Sequence, residues 1–137
     1  MGLIIDTSAL IEWERRGTGV QALVGGLGAE PVALPSIVWA ELLIGVRLAK
    51  SAEVAARRRA RLEQLRLAVP VIEFTAAIAE HYADISTELR RAGKLIPQND
   101  TIVAATARWC NYGILVGGAD EAHFRQVPGL RVETIGT

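Results

Sequence analysis

Short, uninterrupted apolar runs alternate along this chain with longer stretches of helical periodicity, and that alternation narrows the possible folds more than any other feature. Leu3-Ile4-Ile5 and Gly113-Ile114-Leu115-Val116 contain no polar side chain. A strand with one wet face alternates apolar and polar residues, whereas a strand buried on both faces does not. Pro31-Val32-Ala33-Leu34 reads as a further strand, and Arg131-Val132-Glu133-Thr134-Ile135 as a last one. Val69-Pro70-Val71-Ile72 is interrupted by proline, which places it at a sheet edge or a strand start. Between these runs the periodicity predicts helices over about 7–15, 20–27, 36–50 with Ser36 as N-cap, 52–67, 76–91 and 99–110. In the 76–91 stretch Ile78, Tyr82, Ile85 and Leu89 form one stripe, while Glu80, Asp84 and Glu88 fall on another face. Strands alternating with helices imply an α/β protein: one parallel sheet with helices on both faces, in a single domain over 1–137.

Composition sets outer bounds on function. The chain has 137 residues, half of them hydrophobic and few aromatic, which suits one domain with an aliphatic core. No apolar stretch approaches the roughly 18 residues that cross a bilayer. Asp6 interrupts the only early apolar run, so no secretory leader is expected and no membrane partner. The single cysteine, Cys110, leaves no internal disulfide to form and fits a reducing, cytoplasmic setting as a small core residue. Formal charge is zero, so the molecule as a whole is not drawn to nucleic acid. Thirteen of the fifteen basic residues are arginine, and Arg57, Arg58, Arg59, Arg61 and Arg66 crowd one helical stretch. Such a run is either a solvated helix face or a set of phosphate contacts.

The acids are more specific. Aspartate occurs four times, and Asp84 belongs to the solvated face described above. Asp6 ends the first apolar run, Asp100 opens a helix, and Asp120 follows the strand-like run at 113–116 and Gly117-Gly118. In open parallel sheets, ligands bind beyond the carboxyl ends of the strands. Each position also has an ordinary reading: Asp6 as an N-cap, Asn99 or Asp100 as the cap of the next helix, Asp120 as the cap of the short segment 121–124. Glu41 shares a helical stripe with Ile37, Ile44 and Leu48, a face expected to point inward. A carboxylate there needs a cation, an ion pair with Arg47 or Arg90, or a rotation of the helix that leaves Glu41 at the rim. Four such acids brought together suit a hard divalent cation, Mg²⁺ or Mn²⁺, and hence metal-dependent phosphodiester chemistry. Whether one ion or two is held stays open. The bare backbone of Gly117-Gly118 would permit close approach of a substrate. His123 contacts substrate or packs locally, and His81 packs on its helix. Zinc-ligand spacing, a phosphate-binding glycine loop and a nucleophile elbow are all missing from the sequence.

These stretches together resemble the PIN-domain ribonucleases, and among them the VapC-type toxins of toxin–antitoxin pairs. The matching segments are Ile4-Ile5-Asp6-Thr7-Ser8, Ala40-Glu41-Leu42-Leu43-Ile44-Gly45-Val46, Asn99-Asp100-Thr101-Ile102-Val103-Ala104-Ala105, and the run from Ala119 to Leu130. Their order and rough spacing fit, and they span essentially the whole chain. The resemblance implies a three-layer fold with a five-stranded parallel sheet. It further implies Mg²⁺ or Mn²⁺ held by Asp6, Glu41, Asp100 and Asp120, and endonucleolytic cleavage of RNA. Thr7 or Ser8 would support the first acid, and Asn99 would orient the third. Homodimers and a cognate antitoxin, whose C-terminal segment lies in the groove beside the acids, are implied as well. The chain departs from the pattern at Gly118, where the family usually has threonine or serine. The hydroxyl that could orient a metal, a water or Asp120 is therefore missing.

Two other enzyme or signalling classes place acids at strand ends. A receiver domain needs a second acid beside the first and a late lysine, but Thr7 and Ser8 follow Asp6 and no lysine follows Lys94. A haloacid-dehalogenase-like phosphatase needs aspartate two residues after the first, where this chain has Ser8. The non-enzymatic alternative is an inert PIN-like module that only binds RNA or protein.

Overall fold

Five strands pair in parallel in the order β3-β2-β1-β4-β5. The structure, a computed structural model, describes residues 1–135; positions 136–137 of the expected domain lie outside the described residues. Its elements are β1 (Leu3–Ile5), α1 (Thr7–Arg16), α2 (Val20–Gly25), β2 (Val32–Pro35), α3 (Ser36–Arg47), α4 (Ala52–Ala68), β3 (Val71–Ile72), α5 (Ala76–Arg91), α6 (Gln98–Cys110), β4 (Gly113–Val116), α7 (Glu121–Phe124) and β5 (Val132–Thr134). Every residue of β1 and β4 is buried, as a strand covered by helices on both faces requires. The proline-bearing run forms only the two-residue edge strand β3, consistent with the missing amide of Pro70.

The chain builds outward from β1 through β2 to β3, then returns to lay β4 and β5 on the other side. The order therefore reverses between β1 and β4, whose registers align Ile5 with Leu115. The Asp6 amide continues that ladder by donating to the Leu115 carbonyl at 3.0 Å. A crevice at such a reversal is where open α/β sheets hold ligands.

The core is aliphatic, and Phe124 is the largest of its fully buried side chains. Helix α6 runs through the centre, with Val103, Ala104, Ala105 and Ala107 fully buried, and its alanines let the sheet approach closely. On α5, Ile78, Ile85 and Leu89 are buried as the stripe predicts, while Glu80, Asp84 and Glu88 are exposed. Cys110 is only half-buried, and that burial raises its thiol pKa.

Several boundaries differ from expectation. Ser36 is the first helical residue of α3, and the cap position falls on Pro35, which has no side-chain acceptor. The helix stops at Arg47, because the chain must turn before Ser51 caps α4 through the Val54 amide. Helix α2 ends at Gly25, and Gly28 turns with φ of 73°, a conformation that glycine adopts without steric penalty.

Candidate metal centre

Asp6 is 1% exposed, at the carboxyl end of β1. It does both things the sequence allowed. Its Oδ2 caps α1 by accepting from the Ser8 amide at 3.0 Å, and its carboxylate also faces the other acids. The Ser8 hydroxyl donates to the same oxygen at 2.5 Å and accepts from the Gly117 amide at 2.9 Å. One hydroxyl thus ties the end of β1 to the end of β4. A Cβ at Gly117 would lie 2.5 Å from the Ser8 carbonyl oxygen, so this glycine makes room for Ser8 and not, as expected, for a substrate. Gly118 has open space where a Cβ would stand.

Glu41 projects from α3, and its Oε1 accepts from the Thr7 hydroxyl at 2.8 Å. Thr7 therefore supports the second acid, and Ser8 alone supports the first. The expected inward stripe around Glu41 holds only at its start, where Ile37 packs partly buried against the core. Ile44 is 54% exposed and Leu48 78%, whereas Val38 is the buried residue of this helix. Glu41 stands half-buried at the rim of the core. Arg47 does not pair with it but turns to the Leu43 carbonyl at 3.3 Å.

Asp100 is the third residue of α6 and 8% exposed. Pro97 occupies the cap position, so neither Asn99 nor Asp100 caps the helix. Asn99 is half-buried beside it, with no side-chain hydrogen bond among the described residues. The Asp100 Oδ2 lies 2.6 Å from Nδ1 of His123, and the same nitrogen is 3.6 Å from Oδ1 of Asp120. Asp120 precedes α7 without making a side-chain cap, which leaves its carboxylate directed at the cluster.

The electrostatics follow from burial and from neighbouring acids. Burial, with the Asp120 carboxylate pushing the same way, lifts the Asp6 carboxyl to about 7, against the lowering effect of the Ser8 hydroxyl and amide. Asp100 is also raised, first by burial and then by the charges of Asp120 and Glu41, while His123 opposes the rise. Asp120 acts on both Asp6 and Asp100, and the charge of Glu41 reaches Asp100, but Asp6 and Glu41 stand outside the group whose donor atoms lie within one ion's reach. Carboxylates this close repel unless a cation offsets them. The residues fit a divalent cation: Asp100, Asp120 and His123 offer donor atoms within 4.8 Å of one another. The sequence leaves His123 between a substrate contact and local packing, and does not place it among the acids as the structure does. The signal that could have found it is its spacing of three from Asp120, one helical turn away.

A groove of about 210 Å³ adjoins Glu41. Thr7 and Glu41 form its polar end, Leu10, Ile11 and Leu42 line its apolar wall, and Arg58 and Arg61 reach it from α4. The arginine run divides accordingly. Arg57 pairs with Glu53 at 3.0 Å and Arg59 with Glu63 at 2.9 Å, both on the exposed face. Arg58 instead reaches Glu14 and the Gly45 carbonyl, and Arg61 the Thr18 carbonyl.

Comparison with known proteins identifies the family and the fold. A family model described as PIN domain matches residues 3–130. A protein named Ribonuclease VapC from Rickettsia bellii is 30% identical over 135 residues, covering 98% of this chain and 97% of its own. Ribonuclease VapC2 of Haemophilus influenzae is 31% identical over 105 residues, covering 77% of this chain and 76% of its own. Among solved structures, VapBC2 from Rickettsia felis bound to a promoter DNA fragment superposes with a TM-score of 0.84. It is 24% identical, covers 99% of this chain and 100% of its own, and shows likeness of fold.

Proposed function

Because the chain belongs to the PIN-domain family, alongside ribonucleases of the VapC type, we propose that it is a divalent-metal-dependent endoribonuclease, the toxin of a toxin–antitoxin pair. The observation that carries this reading is the placing of Asp120 near both Asp6 and Asp100 where strand order reverses, with the charge of Glu41 felt at Asp100 and two of the carboxyls raised by burial and neighbouring charge. Mg²⁺ is the expected ion, with Mn²⁺ as a substitute, held by these four acids. When bound, such a cation activates water and offsets the negative charge that develops on the phosphodiester.

The chain's own residues do the positioning. Ser8 holds Asp6 from two sides, and Thr7 fixes Glu41, so both carboxylates are oriented before anything binds. The buried flank of α6 keeps water from Asp100 on one side and leaves the crevice open on the other. RNA is the substrate, reached over that open side. A cognate antitoxin would seat a segment in the groove between α1, α3 and α4, where the apolar wall leads to Glu41. The neighbouring solved complexes of VapBC type support such a partner. A homodimer, joined with antitoxin in a hetero-oligomer, completes the assembly, whose growth-arresting effect follows from RNA cleavage that blocks translation. The setting is cytoplasmic.

The test is cleavage of end-labelled RNA in Mg²⁺, in Mn²⁺ and in EDTA. Cutting requires the metal, and Asp6→Asn or Asp100→Asn lowers the rate more than about a hundredfold while circular dichroism stays unchanged. Persistent cleavage by folded Asp100→Asn protein refutes the site. Failure of wild-type protein to bind any divalent ion in calorimetry favours the inert module instead.

A further inference from the structure

We propose that the imidazole of His123 supplies a nitrogen ligand to the cation held by the acids, and so shifts the site's preference from Mg²⁺ toward Mn²⁺. The inference rests on the reading that the crevice binds a divalent ion, and it concerns which donors the ion meets there.

Three observations support it. First, the ring points one nitrogen at two acids rather than one: Nδ1 lies 2.6 Å from Asp100 and 3.6 Å from Asp120. Second, all three donor atoms lie within 4.8 Å of one another. Ligands bound at about 2.1 Å sit up to about 4.2 Å apart across an ion, so the three need only small shifts to share one. Third, the ring is anchored. His123 lies between Asp120, three residues earlier on the single turn α7, and Phe124, which is 0% exposed and pins that turn in the core. Its side chain is 34% exposed, so when an ion displaces the hydrogen bond between Nδ1 and Asp100, the opposite ring nitrogen can carry the proton and free the Nδ1 lone pair.

The consequence for ion choice follows from donor chemistry. Mg²⁺ is hard, prefers oxygen and sheds its waters reluctantly. Imidazole nitrogen favours first-row transition metals over Mg²⁺. A site of acids alone would not discriminate in this way.

The test uses the full chain and Mn²⁺ as a spectroscopic probe. Pulsed electron paramagnetic resonance of the Mn²⁺-loaded protein should show one directly bound nitrogen, which changes isotope signature when histidine is labelled with ¹⁵N. His123→Gln should abolish that coupling, weaken Mn²⁺ about tenfold in calorimetry and leave Mg²⁺ within about threefold. His123→Asn serves as a second variant should the first fold poorly, and the wild-type spectrum stands without either. Mn²⁺ binding with no nitrogen coupling, or equal effects of His123→Gln on both ions, overturns the proposal and leaves the acid site intact. No binding of either ion by wild-type protein overturns both.

Discussion

Ser8 answers two demands with one hydroxyl, donating to a buried carboxylate and accepting from a buried amide. Removing it strands the Gly117 amide and leaves Asp6 with the Ser8 backbone amide but not the hydroxyl. Ser8→Ala should lower stability by about 1–3 kcal/mol, the usual cost of leaving buried polar groups unpaired. It should also weaken metal binding about 10- to 100-fold, as loss of an orienting partner does. Urea denaturation and calorimetry check both, and unchanged values would remove Ser8 from the site's support. The paired glycines make the sharpest residue-level contrast. Gly117→Ala forces a Cβ against the Ser8 carbonyl and should cost about 1–3 kcal/mol, as overpacking does. Gly118→Ser meets open space and should change stability by less than about 0.5 kcal/mol, as substitutions away from packed features do. It also restores the hydroxyl that the family pattern places there, so cleavage should hold or rise. A stable Gly117→Ala protein would contradict the close approach of β4 to α1.

At the level of elements, the crevice is assembled from parts distant in sequence: the start of α1, the middle of α3, the start of α6 and the turn α7. Helix α4 contributes nothing to the acids and carries arginines of two kinds. Arg57 and Arg59 make exposed pairs one turn away, worth about 0.3–0.5 kcal/mol at most. Arg57→Ala and Arg59→Ala should therefore leave the thermal midpoint nearly unmoved. Arg61→Ala removes a part-buried bond to the Thr18 carbonyl that joins α4 to the loop before α2. Its expected loss of about 1–2 kcal/mol, that of a charged hydrogen bond, is measurable by the same scan. Equal effects of all three substitutions would contradict this division.

Over the whole molecule, the raised carboxyls make metal-free stability depend on pH. Folding lifts Asp6 from 3.8 to about 7 and moves Asp100 in the same direction. The folded chain then holds more protons than the unfolded chain between about pH 4 and 7, so stability is lost as pH rises through that window. In EDTA the urea midpoint should be higher at pH 5 than at pH 8, and Asp6→Asn should flatten the difference. A divalent ion should recover stability at pH 8, by about 2.7 kcal/mol at a hundredfold excess over Kd. Midpoints unaffected by metal at pH 8 would refute this linkage. The class of fold, the buried strands β1 and β4 and the stripe of α5 were all legible along the chain, because burial on both faces and helical periodicity are written locally. The division of labour between Thr7 and Ser8, the outward turn of the Ile44 and Leu48 face, the true purpose of Gly117 and the place of His123 were not. Each depends on which remote segment lies opposite, and that is set only when β1 and β4 become neighbours and bring α1, α6 and α7 to the same crevice.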